Sequence, residues 1–235
     1  MIKKIGIIGA MEEEVEALRS KMESAQKLTK ASMDFYSGKL NGMDVVIVRS
    51  GIGKVNAGIC TQILADVFEV DAVINTGIAG SLKAEINIGD IVISTDALQH
   101  DMDATGFGYA PGVIPRMETS CFLADETLMA AAKAACEEAV PEIQVFTGRV
   151  VSGDQFISDR AVKDRITSMF DGMCTEMEGA AIAQAAYLNR IPFVIIRAIS
   201  DKADDSAQMD YPTFEAIAAR HCAAVTKAVA KQMVK

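Results

Sequence analysis

Pro192-Phe-Val-Ile-Ile-Arg-Ala-Ile-Ser-Asp201 holds the longest apolar run in the chain and ends on an acid. Apolar residues at successive positions mark a strand over 193–199 that is covered on both faces, the habit of α/β sheets. Arg197 inside it puts a charge near the core and calls for a carboxylate partner. Runs at 4–8, 45–49, 72–76, 91–94 and 145–151 have the same character. Helix-like periods lie between them. Residues 54–68 repeat Val55, Ile59, Ile63 and Val67 every four positions. Asp125 is a good N-cap for a helix carrying Leu128, Ala132 and Ala135. The last helix is expected to begin at Asp210-Tyr-Pro212 and to bury Phe214, Ile217 and Val225. Asn41-Gly42, between residues 35–40 and 45–49, is a hairpin signal that adds antiparallel pairing. The expected fold is α/β: a single domain over 1–235, with a central twisted mixed β-sheet flanked by helices.

Composition narrows the function. The 235 residues are 50% hydrophobic and 23% charged, with a net charge of −9. An acidic chain is a poor match for nucleic-acid phosphates. There is no uncharged apolar run long enough for a membrane helix, and the start reads Met1-Ile-Lys-Lys-Ile-Gly without a signal-peptide core, so the cytoplasm is the expected compartment. The five cysteines form no C-x-x-C pair. Cys60 and Cys136 fall among apolar helix positions and are expected to be buried; His100 and His221 stand far apart, so no metal is expected.

The chemistry gathers at strand ends, where α/β sheets bind ligands. Gly6-Ile-Ile-Gly9 lacks the dinucleotide spacing, and Glu12-Glu-Glu14 would repel a phosphate at that helix start; no cofactor is expected. Those glutamates either complement the helix dipole or act on a ligand. Ser50-Gly-Ile-Gly-Lys54 resembles half a P-loop, but Val55 replaces the hydroxyl that would hold magnesium. It and Asn75-Thr-Gly-Ile-Ala-Gly80 are read as glycine turns that permit close backbone approach. Glu176-Met-Glu178 precedes a helix-like stretch at Gly179–Asn189, and Ser200-Asp201 closes the longest strand. Arg197 fits either a structural ion pair or a functional site. Residues 100–121 carry Gly106, Gly108, Pro111, Gly112 and Pro115 with scattered aromatics, a long loop suited to function or an interface.

Taken as ordered strings over nearly the whole chain, these segments resemble the 5′-methylthioadenosine/S-adenosylhomocysteine nucleosidase family, within the nucleoside phosphorylase/hydrolase superfamily. The strings are Gly6–Glu14, Ser50–Lys54, Asn75-Thr-Gly77, Val151-Ser-Gly-Asp-Gln-Phe-Ile157, Glu176-Met-Glu178 and Arg197-Ala-Ile-Ser-Asp201. The resemblance implies a nucleoside phosphorylase-like fold and N-glycosidic hydrolysis of adenine thioribosides, in methionine salvage and removal of S-adenosylmethionine by-products. It implies that Asp201 protonates adenine N7, with Ser200 and Arg197 fixing its surroundings. Glu14 would direct water, Glu178 would hold the ribose hydroxyls, and Glu176 would lie near the sugar. It further places Phe156 and Ile157 at adenine, Met11 and Met177 at ribose, Ile52 at the alkylthio tail, Tyr211 over the nucleoside, and Ile78 near the water. Phe107 and Pro115 would complete the neighbouring site in a homodimer.

Two departures stand out: Ile78 where some relatives carry Ser, and Ser81 where a glycine often stands. The alternatives are a purine nucleoside phosphorylase, a futalosine-type nucleosidase and a non-catalytic nucleoside sensor. A phosphorylase must hold phosphate, and Met11-Glu-Glu-Glu14 occupies the place where the bacterial hexameric type carries arginine.

Overall fold

The computed structural model describes residues 2–204 and 206–234. At its centre β4 (Met43–Arg49), β1 (Lys4–Gly9), β5 (Ala72–Ser81) and β10 (Phe193–Asp201) lie side by side, all parallel. From β10 the sheet turns back. β10 pairs antiparallel with β6 (Ile91–Gln99), and β6 pairs in parallel with β8 (Val145–Ser152). β8 pairs with β9 (Cys174–Glu176), and β9 returns antiparallel to β5 through Gly80–Thr175 and Ser81–Cys174. The mixed sheet therefore closes into a ring of five strands, which the sequence did not announce. From β5 the flap β1–β4 runs on into β3 (Met33–Leu40) and β2 (Glu23–Lys30), joined as antiparallel hairpins. The short β7 (Phe122–Leu123) pairs with β6.

Strand residues alternate between two cores, as a period of two requires. Ile5, Ile7, Val194 and Ile196 pack with α1 (Glu12–Arg19), α3 (Glu126–Ala139) and α6 (Ala207–Gln232). Ile8, Val73 and Ile195 pack with α2 (Lys54–Asp66) and α5 (Gly179–Asn189). A third cluster, with Leu98, Val151 and Ile157, sits under α4 (Arg160–Phe170). Asp125 caps α3 as expected, its Oδ1 accepting the Leu128 N–H at 3.0 Å.

Several local expectations are corrected. Asn75-Thr-Gly-Ile-Ala-Gly80 is not a turn, since β5 runs straight through it. The Val55/Ile59/Val67 stripe of α2 faces outward, with Val55 72% exposed; Ala57, Cys60 and Leu64 form the packed side. The helix is apolar on both sides, so periodicity alone could not choose the buried one. α6 begins at Ala207, which places Pro212 inside the helix rather than at its start. Val225 is buried and Phe214 half-buried, but Ile217 is exposed. β2 escaped notice because all eight of its residues are exposed and mostly polar, as suits an edge strand. Cys60 and Cys136 are buried as expected.

Candidate active site

The parallel strands end on one side of the sheet, and the acids come together there. Glu14, in the first turn of α1, is buried. Its Oε2 accepts the Ala10 N–H at 2.6 Å and the Met11 N–H at 3.0 Å, and its Oε1 accepts the Ile78 N–H at 3.0 Å. A carboxylate has about four lone-pair directions, so one remains for a water. The acid is thus much more than a complement to the helix dipole. The Ile78 contact is made by backbone, so the missing serine hydroxyl does not deprive Glu14 of a partner. Gly77 lets the strand pass: a Cβ there would collide with Glu14 Oε1 and Arg197 Nη1. Glycine here makes room for the protein's own charged groups.

Glu176 ends β9 and Glu178 caps α5. They differ sharply in what they hold. Glu176 accepts from the Ser152 hydroxyl, the Glu178 and Gly179 N–H groups and Arg197 Nη2. Its oxygens are filled by protein donors, although the residue lines the same cleft as Glu178. Glu178 accepts the Gly53 N–H on Oε1 at 2.9 Å, and its Oε2 lies 3.6 Å from Arg197 Nη2. Acceptor capacity is left over for two vicinal hydroxyls.

Arg197 does not touch Asp201. Its Nη2 donates to Glu176 and to Asn75 Oδ1 at 2.6 Å, and its Nη1 to the Ile78 carbonyl at 3.2 Å. Glu14 Oε1 is 3.8 Å away. The expected arrangement, Arg197 fixing Asp201, is replaced by Arg197 fixing the glutamates. The sequence assigned no role to Asn75 or Ser152; both are polar residues at or near strand ends, which is the one signal they gave.

Asp201 stands apart, at a β-bulge. In the β5–β10 register Ile199 faces Ala79 and Asp201 faces Gly80, so Ser200 is the extra residue. Bulges of this kind re-aim side chains beside active sites. Ser200 Oγ donates to Asp201 Oδ2 at 2.8 Å, and the Ala203 N–H to Oδ1 at 2.8 Å.

Burial raises Asp201 above the ordinary carboxylate range, although the Ala203 N–H and Ser200 hydroxyl pull it back. Burial also raises Glu14, opposed by Arg197 and three backbone N–H groups. Glu178 is pushed up to about 7 by burial and by Glu176, against Arg197 and the Gly53 N–H. Burial works against the charge of Arg197, yet Glu176, Glu14 and Glu178 override it and hold the guanidinium above its usual range.

The Glu178 shift has a consequence for stability. A carboxyl raised from 4.5 to about 7 binds its proton more tightly in the folded chain. Its contribution is complete below 4.5 and is lost as pH climbs through 7. Glu178→Gln should therefore match the parent near pH 4.5. Above pH 8 it should be more stable by on the order of 3 kcal/mol, at about 1.36 kcal/mol per unit. Equal melting of the two proteins at pH 8.5, without ligand, would show that the buried charge carries no such cost.

Glu14, Glu176, Glu178, Asp201, Arg197 and Ser200 border a cleft of about 380 Å³ with Met11, Ile52, Ile78, Phe156, Met177 and Tyr211. Phe156 meets the Tyr211 ring edge-on at 5.6 Å, and the Tyr211 hydroxyl reaches Met11 Sδ at 3.3 Å. Ile157 turns its side chain away into the third core cluster, so only its backbone can serve a ligand here. Phe107, 88% exposed on a short 3-10 turn, and the half-buried Pro115 are not among the residues lining this cleft. Ser81, the second departure, bonds its Oγ to the Lys83 carbonyl at 2.7 Å and touches no site carboxylate. Burial inclines the carboxyls of Glu14, Glu178 and Asp201 to keep a proton; Glu14 has an acceptor direction left for water and Glu178 has acceptor capacity left for hydroxyls. Apolar walls stand between them.

Known proteins resemble this chain over nearly its whole length. The phosphorylase superfamily model matches residues 4–231. The 5′-methylthioadenosine/S-adenosylhomocysteine nucleosidase of Geobacillus sp. (strain WCH70) is 44% identical, over 99% of this chain and 100% of its own length. The nucleosidase of that name from Neisseria meningitidis, solved with methylthio-immucillin-A, superposes with a TM-score of 0.95 at 40% identity, over 98% of this chain and 100% of the other. The futalosine hydrolase of Helicobacter pylori strain 26695 superposes with a TM-score of 0.93 at 30% identity, over 99% of each chain.

Proposed function

This chain belongs to the 5′-methylthioadenosine/S-adenosylhomocysteine nucleosidase family of the phosphorylase superfamily, and we propose from that premise that it hydrolyses those two nucleosides to adenine and the thioribose. The observation that carries the reading is the convergence of Glu14, Glu178 and Asp201 on one cleft. Arg197, the single cation lining it among the described residues, is already held by Glu176 and Asn75. A phosphorylase needs free positive charge for its anionic nucleophile; buried carboxylates favour a neutral one.

In the proposed reaction Glu14 takes a proton from water as the water oxygen bonds to the anomeric carbon. The carbon–N9 bond breaks, and Asp201 delivers a proton to adenine N7, so the base need not leave as an anion. Glu178 holds the ribose hydroxyls, and its charge favours the oxocarbenium-like transition state. Ser200 steadies Asp201. Phe156, the Ile157 backbone and Tyr211 enclose the base, while Met11, Met177, Ile78 and Ile52 surround the sugar and sulfur. The proposed setting is methionine salvage and by-product removal in the cytoplasm. Among the described residues no helix is long and apolar enough to cross a membrane.

The assay is adenine release from methylthioadenosine with and without phosphate. Equal rates are expected, and strict phosphate dependence would make the protein a phosphorylase. Futalosine belongs in the same assay because of the Helicobacter pylori likeness. Faster release from futalosine would change the substrate class while keeping the three carboxylates. Binding without turnover would make it a sensor.

A homodimer is part of the proposal. Val55 and Ile59 are exposed on α2, and α2 is tied to the end of α5 by Gln62 and Asn189. Leu188 and Leu123 are exposed nearby, with Tyr187 against Phe122 joining α5 to β7. A second copy would cover this apolar side and receive Phe107 and Pro115 at its own cleft. Sedimentation as a monomer at assay concentration would remove this part.

A further inference from the structure

We propose that Lys54 is a positioning residue for ribose recognition, acting through the Gly53 N–H that it holds on Glu178; the inference rests on the proposed role of Glu178 as the sugar's ligand.

Lys54 is the first residue of α2, where a cation opposes the helix dipole and needs compensation. It receives that compensation in a closed circuit. Its Nζ donates to Asp101 Oδ1 at 2.6 Å and to Gln99 Oε1 at 2.9 Å. Asp101 Oδ2 accepts the Asp154 N–H at 2.9 Å, and Asp154 Oδ1 in turn accepts the Lys54 N–H at 2.8 Å. Both charged side chains are well covered, with 19% of Lys54 and 15% of Asp101 exposed. The circuit ties together the chain that follows β4, β6 and β8. None of its members lines the catalytic cleft.

Gly53 is the link to that cleft. It adopts φ 97°, a left-handed value suited to glycine, and a Cβ there would stand 3.1 Å from Asp154 Oδ1. Its amide is therefore aimed by the circuit on one side and meets Glu178 Oε1 on the other. With one oxygen anchored, Glu178 keeps its remaining acceptor directions toward the cleft. Without Lys54 the circuit loses its only cation, the loop is free to turn, and Glu178 loses the N–H that orients it. The half P-loop string Ser50-Gly-Ile-Gly-Lys54 thus serves a carboxylate of the protein itself.

The test uses the full chain with Lys54→Met and, as an independent cut in the same circuit, Asp101→Asn. Calorimetry is run with two probes: methylthio-immucillin-A, which carries a sugar mimic, and adenine, which has none. Both variants should bind the sugar-bearing probe about ten-fold more weakly, or about 1.4 kcal/mol, and adenine within two-fold of the parent. KM for methylthioadenosine should rise by a similar factor while kcat changes little. The pH dependence gives a readout that general loosening would not move. Glu178 is faced by Arg197 from β10, Glu176 from β9 and Glu14 from α1, besides Gly53. Losing the Gly53 donor disfavours its charged form, so the midpoint of sugar-probe affinity should move to higher pH. Equal losses for both probes, unchanged affinity, or a fixed midpoint would overturn the inference. A parent protein that binds neither probe would instead overturn the proposed function.

Discussion

Asp201→Asn should still bind methylthioadenosine within a few-fold of the parent while its kcat for adenine release falls by about 10²–10⁴, the range of general acid catalysis. The amide is nearly isosteric and can keep both present contacts. Its oxygen can accept the Ala203 N–H, and its NH₂ can donate to Ser200 Oγ, whose hydroxyl rotates freely. What it cannot do is give up a proton to N7. Burial raises Asp201 above the ordinary carboxylate range, so the parent keeps a larger protonated fraction as pH rises. Parent kcat should therefore fall as pH passes upward through that raised value, and the residual rate of the asparagine variant should lack this limb. Single-turnover adenine release across pH, with nucleoside binding measured alongside, checks both statements. A variant within ten-fold of the parent would take the general-acid role from Asp201.

Arg197→Met should be the most damaging single change to stability. The guanidinium is 1% exposed and sits among Glu176, Glu14 and Glu178. Removing one partner of a buried ionic group leaves uncompensated charge and costs about 3–5 kcal/mol. Here three carboxylates share the loss, and Asn75 Oδ1 and the Ile78 carbonyl lose their donor as well. The remaining acids can relieve the strain by taking up protons, so the deficit should be largest at pH 8 and shrink toward pH 5. Adding Glu176→Gln to the methionine variant should recover part of the stability, because it deletes the charge that depended most on Arg197. Arg197→Lys should not rescue fully: one ammonium cannot reproduce the planar fork that serves Glu176, Asn75 and Ile78 together. Denaturant melts at the two pH values decide the matter. A methionine variant as stable as the parent at pH 8 would mean that the carboxylates are already neutral without it.

The two predictions separate residues that sequence alone joined. Arg197, Ser200 and Asp201 are neighbours in the chain, and the family resemblance implied that the first two fix the surroundings of the third. In the fold the bulge at Ser200 turns Asp201 toward Ala203, while Arg197 points to residues 21 and 122 positions away. Glu176 and Glu178 depend on the fold in the same way. Two residues apart, they differ in what they hold: Ser152, Gly179 and Arg197 donate to the first, and the Gly53 N–H donates to the second. The outward stripe of α2 has a related origin: with apolar residues on both sides, only the position of α5 chose which side is buried.

Features written in short windows needed nothing beyond the order of residues. Runs apolar on both faces became the central strands, Asp125 became a cap, Asn41-Gly42 became a hairpin, and the ordered strings named the family. These follow from local rules of period, capping and turn chemistry, each satisfied within a few residues. The closure of the sheet from β10 round to β5, the partners of Arg197 and the circuit behind Gly53 were decided by tertiary structure alone. They depend on hydrogen bonds and ion pairs between distant segments, and a residue's type states how many partners it needs without saying where in the chain they lie.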